Sequence, residues 1–148
     1  MSATPSEAAA ALVTRLGLEA HPEGGWFRRT WTAPTGVSTP RGQRATASAI
    51  LFLLDEGEEA VWHFVHSDEL WLWHGPGDLE VHLGGSGPEP VEDPAPTLLR
   101  GDEDGVVQIL VPAGTWQRTF ARADVALATC VVSPEFSYED WELASEGQ

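Results

Sequence analysis

Apolar residues follow a helical spacing only near the start of the chain, in residues 6–17. Ser6 is a residue type that caps helix N-termini, and Gly17 is the type that most often ends helices. Between them, leucine and valine fall on one side at intervals of three and four residues. The pattern predicts a short helix over 6–17 that packs against the outside of a domain.

Beyond residue 17, apolar and β-branched residues come in short runs separated by glycine and proline. Such runs predict strands, because successive side chains of a strand face opposite sides of a sheet. The predicted extended segments are 21–31, 45–55, 60–65, 69–74, 79–83, 106–112, 115–121 and 125–134. Many short strands with one small helix are typical of an all-β sandwich or barrel.

Two further segments lack strand periodicity. Residues 84–96 are rich in glycine, proline and acidic residues, which predicts a flexible acidic loop. The last segment is also acidic, but it contains Phe136, Tyr138 and Trp141. Three large aromatic residues in a polar segment predict that it docks on the body of the domain.

Composition narrows the classes of partner. The chain has 148 residues, enough for one domain, and 23 acidic against 8 basic residues give a net charge of −15. Such a charge repels phosphate backbones and anionic lipid surfaces, so neither nucleic acid nor a membrane is an expected partner. A single cysteine, Cys130, excludes an internal disulfide. No apolar run is long enough for a membrane helix, and no secretory signal is evident, so we expect a cytoplasmic protein.

Two motifs resemble those of the cupin superfamily of jelly-roll barrels. The first motif, G-x5-H-x-H-x3-E, is matched at Gly57, His63 and Glu69. The second motif, P-x-G-x2-H, is matched by residues 112–114, with Gln117 in the place of the histidine. The resemblance implies an all-β cupin double-stranded β-helix with a short N-terminal helix.

Five blocks resemble, more narrowly, a small single-domain cupin family of largely unknown function. They are HPEGGWF at 21–27, ILFLL at 50–54, WHFVHSDELW at 62–71, VPAGTWQ at 111–117 and VVSPEFSYEDWELA at 131–144. The resemblance implies one cupin domain over 1–148, a homodimer, and a small-molecule ligand.

A metal-binding cupin uses three histidines and one glutamate, and the resemblance places these positions at His63, Val65, Glu69 and Gln117. Only His63 and Glu69 carry strong ligands. His66 alternates away from His63 and could reach a metal only if the strand bulged or broke. The sequence therefore favours no metal. The alternative is a divalent Fe, Mn, Ni or Zn ion held by His63, Glu69 and His66.

His63 and Glu69 are spaced to face one cavity, where a carboxylate would orient the imidazole as a general base. Some jelly-roll relatives transfer protons with an inward histidine and no metal. We therefore expect a metal-independent isomerase, epimerase or lyase that acts on a small polar or ring-bearing metabolite. The alternatives are a metal-dependent, dioxygenase-like cupin and a non-catalytic ligand-binding cupin.

Other residues are expected to form the pocket around this pair. Alternation places Trp71 and Trp73 on the face of Glu69, and Gln117 could donate a hydrogen bond to the ligand. The resemblance implies that the HPEGGWF block borders the pocket. The predicted substrate-binding residues are Trp71, Trp73, Gln117, Trp26, Glu23, His21 and Arg28.

Overall fold

The computed structural model describes residues 4–145, so six residues of the predicted domain 1–148 lie outside the described part. Helix α1 (Glu7–Leu16) begins after Ser6, whose side-chain oxygen accepts a hydrogen bond from the backbone N–H of Ala9 (3.1 Å). It ends at Gly17, whose φ of 66° is a left-handed conformation that suits glycine. The predicted N-terminal helix is confirmed.

The strands are short, as the spacing of the apolar runs predicts. In chain order they are β1 (Glu19–Ala20), β2 (Trp26–Thr32), β3 (Gly36–Thr39), β4 (Gly42–Ala45), β5 (Ser48–Leu54), β6 (Glu59–Val65), β7 (Asp68–Pro76), β8 (Leu79–Leu83), β9 (Thr97–Leu99), β10 (Gln108–Val111), β11 (Gln117–Phe120), β12 (Ala126–Ser133) and β13 (Trp141–Leu143). A turn of 3-10 helix, Tyr138–Asp140, precedes the last strand.

Two antiparallel sheets contain most of these strands. One has the order β1-β2-β5-β12-β7-β10, and the other has the order β13-β6-β11-β8-β9. Strands β3 and β4 form a separate hairpin. The inward side chains of both sheets make a core that includes Phe52, Leu54, Trp71, Val81 and Leu99. The predicted all-β jelly roll is confirmed.

Helix α1 covers the outer face of the six-stranded sheet. Its apolar side packs on Leu53 and Leu127, which point away from the core that their neighbours Phe52 and Ala128 occupy. The Asp55 carboxylate holds the start of the helix, because it accepts hydrogen bonds from both the backbone N–H and the hydroxyl of Ser6 (2.7 Å each).

A β-bulge interrupts strand β6. Gln117 pairs with His63 while Thr119 pairs with Ala60, so three steps along β6 oppose two steps along β11. Ala60 belongs to the core, whereas strict alternation would turn it away from the side of His63. The bulge therefore lets both residues face the inside of the barrel.

The loop 84–96 contains no helix or strand, and several hydrogen bonds attach it to the barrel. The Leu83 backbone N–H donates to Asp93 Oδ2 (3.0 Å), and the Trp116 indole N–H donates to the Gly87 carbonyl (2.9 Å). The predicted flexibility of this loop stays a prediction.

Candidate functional site

A largely enclosed cavity lies between the two sheets. Its volume is about 30 Å³, which is room for about two water molecules. The polar side chains that line it are His21, Glu23, Ser48, His63, Glu69 and Cys130. The apolar ones are Phe27, Ile50, Phe52, Val65, Trp71, Val132, Phe136 and Trp141.

His63, on β6, has a fixed tautomer. Its Nδ1 lies 2.7 Å from the Val61 carbonyl oxygen, which can only accept, so Nδ1 carries the proton. Its Nε2 lies 3.3 Å from Oε2 of Glu23. An unprotonated Nε2 and a carboxylate would both be acceptors, so this contact is favourable when one proton lies between them.

Glu23 lies in the turn between β1 and β2, and its side chain is buried. Its Oε1 accepts a hydrogen bond from the Trp141 indole N–H (3.2 Å). Burial raises the pKa of Glu23 to about 8, although the bond from Trp141 acts in the opposite direction. Burial also lowers the pKa of His63. The shared proton is therefore held mainly by Glu23 at neutral pH.

The turn itself depends on glycine. Gly24 has a φ of 108°, and a Cβ placed there would lie 2.2 Å from the Glu59 carbonyl oxygen. The turn thus lies directly against the start of β6, and the Val61 backbone N–H donates to the Glu23 carbonyl (2.8 Å). Only glycine permits this close approach, which brings the Glu23 side chain to His63.

His21 is the second imidazole of the site. Its Nδ1 accepts a hydrogen bond from the backbone N–H of Glu23 (3.2 Å), and its ring lies 4.6 Å from that of Phe27, measured between centroids. Burial, with a smaller contribution from His63, lowers the pKa of His21 to about 4. His21 is therefore neutral at neutral pH.

Glu69, on β7, is held by a chain of hydrogen bonds. Gln117 donates from Nε2 to Glu69 Oε1 (2.7 Å), and the Trp71 indole N–H donates to Gln117 Oε1 (3.0 Å). Burial raises the pKa of Glu69 to about 7, against opposing effects of His63 and of the bonds from Gln117 and Cys130. Burial, followed by the neighbouring glutamates, raises the pKa of the Cys130 thiol well above its usual value.

A comparison with known protein families identifies the family to which the chain belongs. The model of the family described as Cupin superfamily (DUF985) matches residues 10–144. The chain belongs to this cupin family. No curated protein matches it, and membership supports a small-molecule-binding role.

Solved structures give the same assignment. A protein from Shewanella oneidensis is 31% identical, with a TM-score of 0.80 over 93% of this chain and 84% of that chain. A hypothetical protein from Leishmania major is 26% identical, with a TM-score of 0.81 over 95% of this chain and 89% of that one. KdgF from Halomonas sp. is 16% identical over 82% of this chain and 88% of that one, with a TM-score of 0.58, and shares the fold alone.

Five of the predicted site residues line the cupin cavity together. They are His21, Glu23, His63, Glu69 and Trp71. The pairing within this group differs from the expectation, because the carboxyl group in contact with His63 is that of Glu23. Glu69 acts on His63 through its charge, as a second acid facing the same space.

Two predicted site residues, Trp26 of the HPEGGWF block and Arg28 directly after it, lie elsewhere. Phe27 takes the inward position on β2, so its neighbours Trp26 and Arg28 alternate outward. Trp26 packs with helix α1 on the outside of the sheet, and the Arg28 guanidinium donates to the Leu16 carbonyl (3.0 Å). Neither residue lines the cavity itself, which differs from the prediction, although Trp26 lines an open groove that shares His21 and Glu23 with the cavity.

Gln117 and Trp73 also differ from their predicted positions. Both ends of the Gln117 amide are occupied by Glu69 and Trp71, so it positions Glu69 and does not line the cavity. Trp73 shares the inward face but lies farther along β7, where its indole N–H donates to the Gly77 carbonyl (2.7 Å). It is a core residue.

The sequence reasoning gave no site role to three aromatic residues of the cavity, Phe27, Phe136 and Trp141. The last two belong to the segment predicted to dock on the body, and the docking brings Trp141 to Glu23. The family block VVSPEFSYEDWELA contains both residues and was the available signal.

The donor set of this cupin does not fit the four-ligand metal centre of the superfamily. Val65 has no donor atom, and the Gln117 amide is already bonded at both ends. His66, the possible substitute, is exposed, and its Nε2 lies 2.7 Å from Arg41 Nη2, away from the cavity. Within residues 4–145, no group of three or more His, Cys, Asp or Glu side chains is arranged to hold a metal ion.

No helix in the described part of the chain is long and apolar enough to cross a membrane.

Proposed function

We propose that the cavity is the active site of a metal-independent enzyme that moves a proton on a small polar metabolite, as an isomerase, an epimerase or a lyase. The observation that carries the proposal is the 3.3 Å contact between His63 Nε2 and Glu23 Oε2 inside a buried cavity. Acid–base catalysis requires a group that exchanges a proton near neutral pH. Glu23, with a pKa of about 8, meets that requirement.

In this proposal His63 is the base. The bond from its Nδ1 to the Val61 carbonyl leaves Nε2 as the atom that removes a proton from the substrate. The step takes place with Glu23 ionised: the substrate proton binds to Nε2, is shared there with Glu23 Oε2, and returns to the substrate by the same route. Glu69 supplies a second acid. Gln117 orients Glu69 through its 2.7 Å bond and makes no contact with the substrate.

Cavity size limits what reacts there. A space of about 30 Å³ admits one functional group rather than a whole metabolite. The reacting end of the substrate would displace the water, and the walls, which include Trp71 and Phe136, would have to move to admit the rest. This favours chemistry at a single carbon atom, such as proton removal and return.

The first test is exchange of substrate hydrogen for deuterium in D2O, followed by NMR over a panel of small hydroxy, keto, amino and sugar metabolites. The native protein is expected to exchange one carbon-bound hydrogen of some member. His63→Ala should lose the exchange by a factor of about 10² to 10⁴, the usual contribution of a general base. His74→Ala, an exposed histidine bonded to Thr129, is the matched control.

Circular dichroism of each variant shows whether its fold is intact. Full exchange by a folded His63→Ala protein would overturn the proposed base. Binding of a panel member without any exchange by the native protein would favour a ligand-binding cupin without catalysis.

We also propose that this cupin is a homodimer. Strand β10 lies at the end of the six-stranded sheet and pairs there with β7 alone among the described strands. Val107 and Leu110 at this edge are 57% and 49% exposed. An unpaired strand edge that carries exposed apolar residues is stabilised when a second copy of the chain covers it.

A further inference from the structure

We infer that the group which enters the cavity is a small organic cation, of the ammonium class, on an otherwise polar metabolite. This deepens the proposed function, since it names the substrate class of the same site. Three features carry it: the rings that line the cavity, the sign of the charges inside it, and the surface that borders it.

Five aromatic rings line the cavity, those of Phe27, Phe52, Trp71, Phe136 and Trp141. The faces of aromatic rings attract cations, and enclosures of several rings are used to recognise alkylated ammonium groups. The planes of Phe52 and Trp71 are 85° apart, with centroids 5.5 Å apart. The His21 ring also meets four of the five rings, those of Phe27, Phe52, Phe136 and Trp141, at angles of 62° to 81°. The rings thus surround the space on several sides.

The cavity contains two acidic side chains that lack a permanently charged basic partner. Glu23 and Glu69 both line it, and no arginine is among the residues that do. A buried carboxylate or phosphate of a substrate would face two carboxyl groups and no counter-ion, which is strongly unfavourable. A cation would instead be the missing counter-ion of both acids. Burial is the main cause that raises the pKa values of Glu23 and Glu69, to about 8 and about 7.

The surface next to the cavity has the same sign. Glu23 and His21 also line an open groove of about 550 Å³, together with Asp55, Glu56 and the segment 57–59. Two more acids lie in that segment: Glu58, and Glu59, which forms an ion pair with Arg118 (2.9 Å). No arginine is among the residues that line the groove. Acidic walls attract cations and repel anions. The groove therefore favours the approach of a cationic ligand, the same class that the cavity favours.

Two arginines, Arg29 and Arg44, line a separate open pocket that shares Phe27 and Phe136 with the cavity. Arg29 forms an ion pair with Glu135 (2.6 Å), and Arg44 forms one with Asp140 (2.9 Å). Both guanidinium groups are also bonded to backbone carbonyls. Because both are already neutralised, this pocket offers no competing site for an anionic substrate.

The experiment uses methylammonium chloride as the probe. Its two heavy atoms match the two water molecules for which the cavity has room. Methanol is the neutral analogue of the same size and sodium formate the small anion, all at constant ionic strength. The readout is the NMR shift of the Trp71 and Trp141 indole N–H signals. Methylammonium should shift both saturably, with a Kd of about 10 mM or weaker, the limit for two heavy atoms.

Variants identify the acids responsible. Glu23→Gln and Glu69→Gln should each weaken methylammonium binding by about tenfold or more. Glu103→Gln, which removes the same charge from an exposed turn, should leave it unchanged. Equal shifts with methanol or formate, or full binding by both cavity variants, would overturn the inference. Deuterium exchange that persists while methylammonium fails to bind would reject the cation and retain the proposed function.

Discussion

At the scale of single residues, the site is a cluster of buried ionisable groups with shifted pKa values. Glu23 and Glu69 are buried acids with raised pKa values, while His21 and His63 are buried bases with lowered ones. Burial is the largest cause in all four, since it disfavours the charged form of either type of group. The folded protein therefore keeps protons on its carboxyl groups to a higher pH than the unfolded chain does.

The free energy of unfolding should consequently decrease as the pH rises. The pKa of Glu23 is about 8 in the folded protein against 4.5 for an ordinary glutamate, so the folded state binds the extra proton. Its contribution is complete below pH 4.5 and is lost as the pH rises through about 8. The loss is at most about 1.4 kcal/mol per pH unit for one proton. The pKa of His21 is shifted in the opposite direction, from 6.5 to about 4, so its contribution to stability is lost only as the pH falls from 6.5 to about 4.

Urea unfolding between about pH 6 and pH 9 tests this linkage. The free energy of unfolding of the native protein should decline over this pH range. That of the Glu23→Gln variant should decline less steeply, because the variant has no titrating carboxyl group at position 23. Glu103→Gln should keep the native slope. Parallel slopes for the native protein and Glu23→Gln would show that Glu23 is ionised in the folded state.

The sequence could predict site residues that lie close together along the chain, but not those brought together by long-range contacts. His63 and Glu69 share one family motif, so their spacing and strand alternation indicate a common cavity. Glu23 contacts His63 from 40 positions earlier, through a turn whose approach to β6 is a tertiary feature. Trp141 comes from the opposite end of the described chain. Contacts of this kind leave no periodic signal in the sequence.

At the scale of elements, apolar patterns identified the long strands and the helix but not the shortest pieces. Strands β1, β9 and β13 have two or three residues each, too few for any period to show. The β3–β4 hairpin is mostly exposed, so it lacks the alternation that marks a core strand. The bulge in β6 was also invisible, because it depends on the pairing with β11.

The glycine turn before β2 is the element most critical to the site. Ala at Gly24 would meet the Glu59 carbonyl at 2.2 Å, whereas Ala at Gly57 would meet no atom within 4 Å. Both positions have a positive φ, so each substitution costs about 1 kcal/mol of backbone strain. Gly24→Ala should cost at least about 2 kcal/mol more than Gly57→Ala, because backbone must move.

Thermal or urea unfolding of the two variants gives the comparison. If the proposed function is correct, a folded Gly24→Ala protein should also lose deuterium exchange, because the turn would move Glu23 from His63. If the two variants were equally stable, the turn could move away from strand β6 with little loss in the free energy of unfolding.

At the scale of the whole molecule, the proposed dimer can be separated from general surface effects. Val107→Lys with Leu110→Lys adds two charges to the exposed edge at β10, where burial against a second copy would then be unfavourable. Light scattering after gel filtration should show a change from dimer to monomer. Val91→Lys is the control, since Val91 is 69% exposed in the loop 84–96. A native protein that is monomeric at all concentrations would reject the dimer.

The bond between Glu23 and Trp141 has a consequence for biosynthesis. It joins residues 118 positions apart, and a ribosome adds about 5 to 20 residues per second. The acid therefore leaves the ribosome several seconds before the indole that binds it. In an unfolded chain Glu23 is ionised at cellular pH, and burial in the folded barrel raises its pKa to about 8, so folding is accompanied by uptake of a proton from the solvent. Strand β13 thus completes the surroundings of Glu23 only after most of the described barrel has been made.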